Sequence, residues 1–79
     1  MNQAIAEQHI KRLQELTGRS FEQFLQITDT QLDELLEGLA PEQVYELEFL
    51  IDRLMYLNDE DSKYNAMKLN EIKDIFDNR

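Results

Sequence analysis

The chain has 79 residues, a formal net charge of −9, a pI of about 4.4 and no cysteine. That length admits one domain, residues 1–79, with a small core. The acidity disfavours direct binding to nucleic acid or to anionic membranes, both of which are held by Lys and Arg. The missing cysteines exclude disulfides and thiolate zinc sites, and suit a reducing, cytoplasmic location.

The opening stretch MNQAIAEQH has neither a basic nor a long apolar segment, so no secretory signal is expected. Residues 2–17 predict a first helix. Ile5, Ile10, Leu13 and Leu16, with Ala6, form its apolar side. Glu7 and Lys11 are spaced as an i,i+4 ion pair, and His9 falls at the edge of the apolar side, as a half-buried structural residue would. Gly18 supplies a stop.

Ser20 with Gln23 reads as a capping box, followed by Phe21, Phe24 and Leu25 at helical spacing. The β-branched run Ile27-Thr28-Thr30 weakens the helix, and Thr28 with Gln31 reads as a second capping box. Two short helices are therefore expected, at about 21–27 and 29–38, in preference to one continuous helix. Leu32, Leu35, Leu36 and Leu39 make the apolar stripe of the second. Gly38 can take the left-handed conformation that ends it, and Pro41 suits the first position of the next helix. So short a connection predicts a packed hairpin.

Residues 41–57 are the longest apolar stretch. Val44, Leu47, Ile51 and Leu54 recur on one face, and Phe49, Leu50, Met55 and Leu57 widen it. A helix apolar over so wide an arc packs against several neighbours, so this is the expected central helix. Its longest uninterrupted apolar run, residues 54–57, is far short of the roughly 20 residues that span a bilayer. After the polar break at 58–62, Asp61 or Ser62 can cap a last helix over about 62–77. Tyr64, Met67, Leu69, Ile72, Ile75 and Phe76 are its apolar positions, and Lys63, Lys68 and Lys73 mark its polar side. No stretch alternates as a strand does. The expected fold is all-α: a small compact bundle of four to five helices around a central helix at about 41–57.

Chemical motifs fail one by one. A calcium loop started at Asp59 puts Lys63 and Tyr64 at ligand and glycine positions, and one started at Glu60 puts Asn65 where glycine is needed. Two glycines cannot build a phosphate loop. One histidine supports neither a catalytic triad nor a di-iron Glu-x-x-His pair. No catalytic, cofactor-binding or metal-ligating residue is assigned, and the chain is read as non-enzymatic.

The charge is unevenly spread. Residues 20–62 hold twelve carboxylates and one base, Arg53, a net of −11, while the segments 1–19 and 63–79 each carry a net of +1. Asp29, Asp33 and Glu37 follow at i, i+4 and i+8; Glu42 with Glu46, and Glu48 with Asp52, are like-charged i,i+4 pairs. Each such pair costs a few tenths of a kcal/mol, which a basic partner would relieve. Arg53 has no acid at i±3 or i±4, so its expected partner is a carboxylate of a neighbouring helix.

These features imply an acidic protein-binding module, an inhibitor or regulator of a protein partner with a basic surface. Asp29, Asp33, Glu34, Glu37, Glu42, Glu46, Glu48 and Asp52 are its candidate partner-binding residues. A sharper form is a nucleic-acid mimic of the kind found among phage and plasmid inhibitors such as anti-CRISPR proteins, an analogy of composition alone. The alternatives are a structural or assembly protein, for instance a homodimer or chaperone that touches through apolar stripes, and an antitoxin or immunity protein.

Overall fold

The helices begin where local hydrogen bonds let them. In the computed structural model, which describes residues 3–58 and 62–78, the chain forms α1 (Gln3–Thr17), α2 (Phe21–Leu25), α3 (Asp29–Glu37), α4 (Pro41–Asn58) and α5 (Lys63–Asp77). About 85 % of the described residues are helical, and none of them forms a strand. Both expected capping boxes are present. The Gln23 backbone N–H donates to Ser20 Oγ at 3.1 Å, and the Ser20 N–H returns a bond to Gln23 Oε1 at 3.0 Å. Thr28 and Gln31 repeat the arrangement at 3.2 and 3.0 Å, which fixes the break between α2 and α3. Ser62 caps α5 through the Asn65 N–H; Asp61, the other candidate, lies outside the described residues.

The start of α4 holds half of a third box. The Ala40 N–H donates to Gln43 Oε1 at 2.9 Å, and the Ala40 carbonyl accepts from Gln43 and Val44. Ala40 thus occupies the cap position without a side-chain acceptor. Replacing it with serine, at an exposed site, is expected to complete the box and raise stability by about 1 kcal/mol, read as a higher urea midpoint at unchanged slope.

The two glycines end their helices differently. Gly18 has φ of 67° and closes α1 by donating its N–H to the Gln14 carbonyl. Gly38 does not use the left-handed conformation open to it: its φ is −84° and its ψ −6°. The last turn of α3 instead tightens, with the Gly38 N–H reaching both Glu34 and Leu35 and the Leu39 N–H reaching Leu36. The expected close α3–α4 hairpin is not prominent: the two helices share the core but make few close backbone approaches. The close backbone approaches of α4 are to α5 and α1, and α2 touches α1 and α5; α3 joins through its side chains.

One core results. Leu47, Leu50, Ile51 and Leu54 of α4 meet Leu13 and Leu16 of α1, Phe24 and Leu25 of α2, Ile27 of the α2–α3 break, Leu32 and Leu36 of α3, and Leu69 and Ile72 of α5. An 18-residue helix is about 27 Å long, and the longest dimension of the molecule is 32 Å, so α4 is long enough to run most of its length. Several residues assigned to apolar sides are exposed instead: Ile5, Phe49, Tyr64 and Met67. Tyr64 and Met67 lie about 140° and 160° around α5 from buried Leu69, at about 100° per residue. Tyr64 there accepts a hydrogen bond from Gln26 Nε2 at 2.7 Å. Asn58, the one buried polar residue among those described, donates from Nδ2 to the Leu54 carbonyl at 2.8 Å. No described helix is long and apolar enough to cross a membrane.

Candidate protein-binding surface

Capped at Thr28, α3 turns Leu32 and Leu36 into the core. Its period then leaves Asp29, Asp33 and Glu37 exposed along one edge, with Glu34 beside them. That edge forms a groove against the C-terminal end of α5, lined by Asp29, Asp33, Glu37, Asp74, Ile75 and Asn78. The structure therefore brings three of the expected acidic residues together and adds a fourth carboxylate, Asp74. Nothing in the local sequence marks Asp74, because α5 carries balanced charge and the juxtaposition is tertiary. Asp29 also faces the N-terminal end of the α3 dipole, as Glu42 does in α4, which favours both local charges.

The carboxylates of α4 do not continue this edge as one row. Glu46 turns to α1, where Arg12 holds it with two hydrogen bonds, Nε to Oε2 at 2.6 Å and Nη2 to Oε1 at 2.9 Å. Asp52 turns to α5, where Lys73 Nζ lies 2.5 Å from Oδ1. Six residues along a helix rotate these two about 120° apart, onto opposite flanks. The mildly basic terminal segments thus clamp the acidic centre from both sides. Glu42 and Glu48 form no ion pair with a described residue. The Glu7–Lys11 pair is not formed either; both side chains are exposed, where such pairs gain little.

The clamps shift their own ionisation. The hydrogen bond from Arg12 holds the Glu46 carboxyl below its ordinary value, with desolvation opposing and the charge of Arg12 assisting. Lys73 is raised, first by its hydrogen bond to Asp52 and then by the charge of that carboxylate. A depressed carboxyl stabilises the fold above the ordinary carboxylate range and loses that contribution as pH falls through its folded value. Glu46→Gln is therefore expected to lower the urea midpoint at neutral pH, and the gap between the two proteins should close as pH falls through the folded value of Glu46. A constant gap between them across that range would show that the ion pair contributes nothing.

Arg53 does not reach a carboxylate of a neighbouring helix among the described residues. Its guanidinium carbon lies 5.8 Å from the ring centre of Tyr56, three residues on. His9 is half-buried as expected, edge-on to Phe49 with ring centres 6.2 Å apart. Among the described residues no three His, Asp or Glu side chains are arranged to hold a metal ion.

One feature escaped sequence reasoning. Tyr45, Phe49 and Tyr56 on α4 are 74 %, 55 % and 74 % exposed. At about 100° per residue they fall within roughly 40° of one another, opposite Leu47 and Leu54. A helical wheel centred on Tyr45 would have shown this second stripe; counting Phe49 with the core concealed it. Comparison with protein families, characterised proteins and solved structures finds no match to this chain.

Proposed function

We propose that this chain is a non-enzymatic protein-binding module, an inhibitor or regulator, which engages the basic surface of a protein partner through the acidic groove between α3 and α5. One observation carries the reading: Asp29, Asp33, Glu37 and Asp74, from two helices, line a single groove. Carboxylates four residues apart repeat about every 6 Å along a helix, so a partner surface bearing Lys and Arg can meet them in series. Such complementarity acts chiefly on association rate and specificity. A partner whose basic surface ordinarily holds a phosphate backbone fits this description, which is the nucleic-acid-mimic form of the proposal. An antitoxin or immunity protein would use the same groove. The pairing of Glu46 and Asp52 within the chain narrows the site to α3 and the end of α5.

The test uses a partner captured from the native host and identified by mass spectrometry. Asp33→Lys with Glu37→Lys should slow its association on the order of tenfold, with a weaker salt dependence than the parent shows. Glu7→Lys with Glu15→Lys on α1 changes net charge equally and should have much less effect. Surface plasmon resonance at two salt concentrations reads both. Salt-independent affinity, or equal losses from the two double variants, would reject the acidic groove as the contact.

A further inference from the structure

The outer face of α4 has a charge pattern of its own. Its aromatic stripe runs from Tyr45 to Tyr56, and its two flanking carboxylates, Glu46 and Asp52, are already neutralised by Arg12 and Lys73. Two opposite charges then stand at the two ends of the stripe. Glu42, in the first turn, pairs with no described base, and Arg53, near the far end, pairs with no described carboxylate. Eleven residues separate them, about three turns, so they lie within roughly 20° on the same face. They are too far apart, about 16 Å, to pair with each other.

We infer that this face is the seat of a homodimer, in which a second copy of the chain packs its α4 antiparallel across the stripe. A twofold axis near residues 47–48 satisfies both ends at once. Glu42 of each copy meets Arg53 of the other, and Tyr45 and Phe49 interleave with the same residues of the second copy. This is the isologous arrangement that twofold symmetry requires: if residue i touches j, j touches i. Tyr56, under the guanidinium of Arg53, holds that side chain along the face before the copies meet. Tyrosine, phenylalanine and arginine are the residues that anchor well-packed interfaces.

The charges select this occupant over others. A basic partner finds Glu46 and Asp52 already paired and meets Arg53. An acidic partner meets Glu42 and Glu48. Only a surface bearing the same two charges in reverse order matches both ends, and a second copy provides it. The acidic edge of α3 belongs to a different helix from this stripe, and α3 packs Leu32 and Leu36 into the core. The inference is independent of the acidic groove, and neither stands or falls with the other.

Sedimentation equilibrium across a range of concentrations tests it, with circular dichroism to verify the fold of each variant. The parent should reach twice its monomer mass of 9.4 kDa. Glu42→Arg alone and Arg53→Glu alone should each weaken dimerisation on the order of tenfold. Mixing those two single variants should form heterodimers, and the double variant carrying both changes should regain the parent's dimerisation. Phe49→Ser, at an exposed position, should leave a folded monomer. A parent that stays monomeric up to about 1 mM, where association weaker than about 4 kcal/mol would be missed, overturns the inference. So does a dimer that none of these substitutions weakens, or single reversals that are not rescued when combined.

Discussion

Truncating Phe24 to alanine is expected to cost about 3–5 kcal/mol, enough to unfold much of a chain this small. Phe24 is fully buried and is the largest such side chain described. It sits on α2, a helix of five residues that could not persist without tertiary contacts. Through α2 it joins α1 to α5, so the void would loosen the contacts of two longer helices. Domains of this kind are stable by only about 0.05–0.15 kcal/mol per residue, so the loss is comparable with the whole. Urea denaturation followed by circular dichroism reads it, and Phe24→Leu, which retains most of the volume, should lose much less. A Phe24→Ala protein that melts with the parent would mean that α2 is not anchored by this ring.

Leu54→Ala should cost roughly 2–5 kcal/mol, as should the same truncation at Ile51. Both residues are buried on α4, which packs against α1 and α5. The cost depends on how far the surroundings collapse, and α4 has little freedom to do so. It is pinned on one flank by Arg12–Glu46 and on the other by Lys73–Asp52. Glu34→Ala, exposed on α3, is the matching control and should stay within about 0.5 kcal/mol of the parent. Equal midpoints for Leu54→Ala and Glu34→Ala would remove α4 from the centre of the fold.

What the sequence made legible was what neighbouring residues decide. Ser20 with Gln23 and Thr28 with Gln31 are bonds across three residues, so the starts of α2 and α3 could be read directly. The buried stripe Leu47, Ile51 and Leu54 follows from period alone. What escaped it is set by distant residues or by the path of the chain. Arg12 and Glu46 are 34 residues apart, and Lys73 and Asp52 are 21 apart. No local pattern says that these carboxylates find bases while Glu42 finds none among the described residues. Gly38 is permitted the left-handed conformation by its chemistry, yet the tightened last turn of α3 leaves it right-handed. Of the candidate site, the row on α3 was readable as spacing; its union with Asp74 across the groove was not.

Three helix starts have a chemical property that the interhelical ion pairs lack. The acceptors reaching back at Ser20, Thr28 and Ala40 are the amide oxygens of Gln23, Gln31 and Gln43, where a glutamate would serve equally well as a hydrogen-bond partner. An amide does not titrate. In strong acid the formal charge inverts from −9 to about +9, set by eight Lys and Arg and one His. The interhelical clamps lose their carboxylates in that transition, but these three helix starts keep every bond. Acid should thus act first on how the helices are held together and last on where they begin. Near-ultraviolet circular dichroism from the tyrosines should fade at a higher pH than the far-ultraviolet helix signal, leaving a helix-rich state with loosened packing.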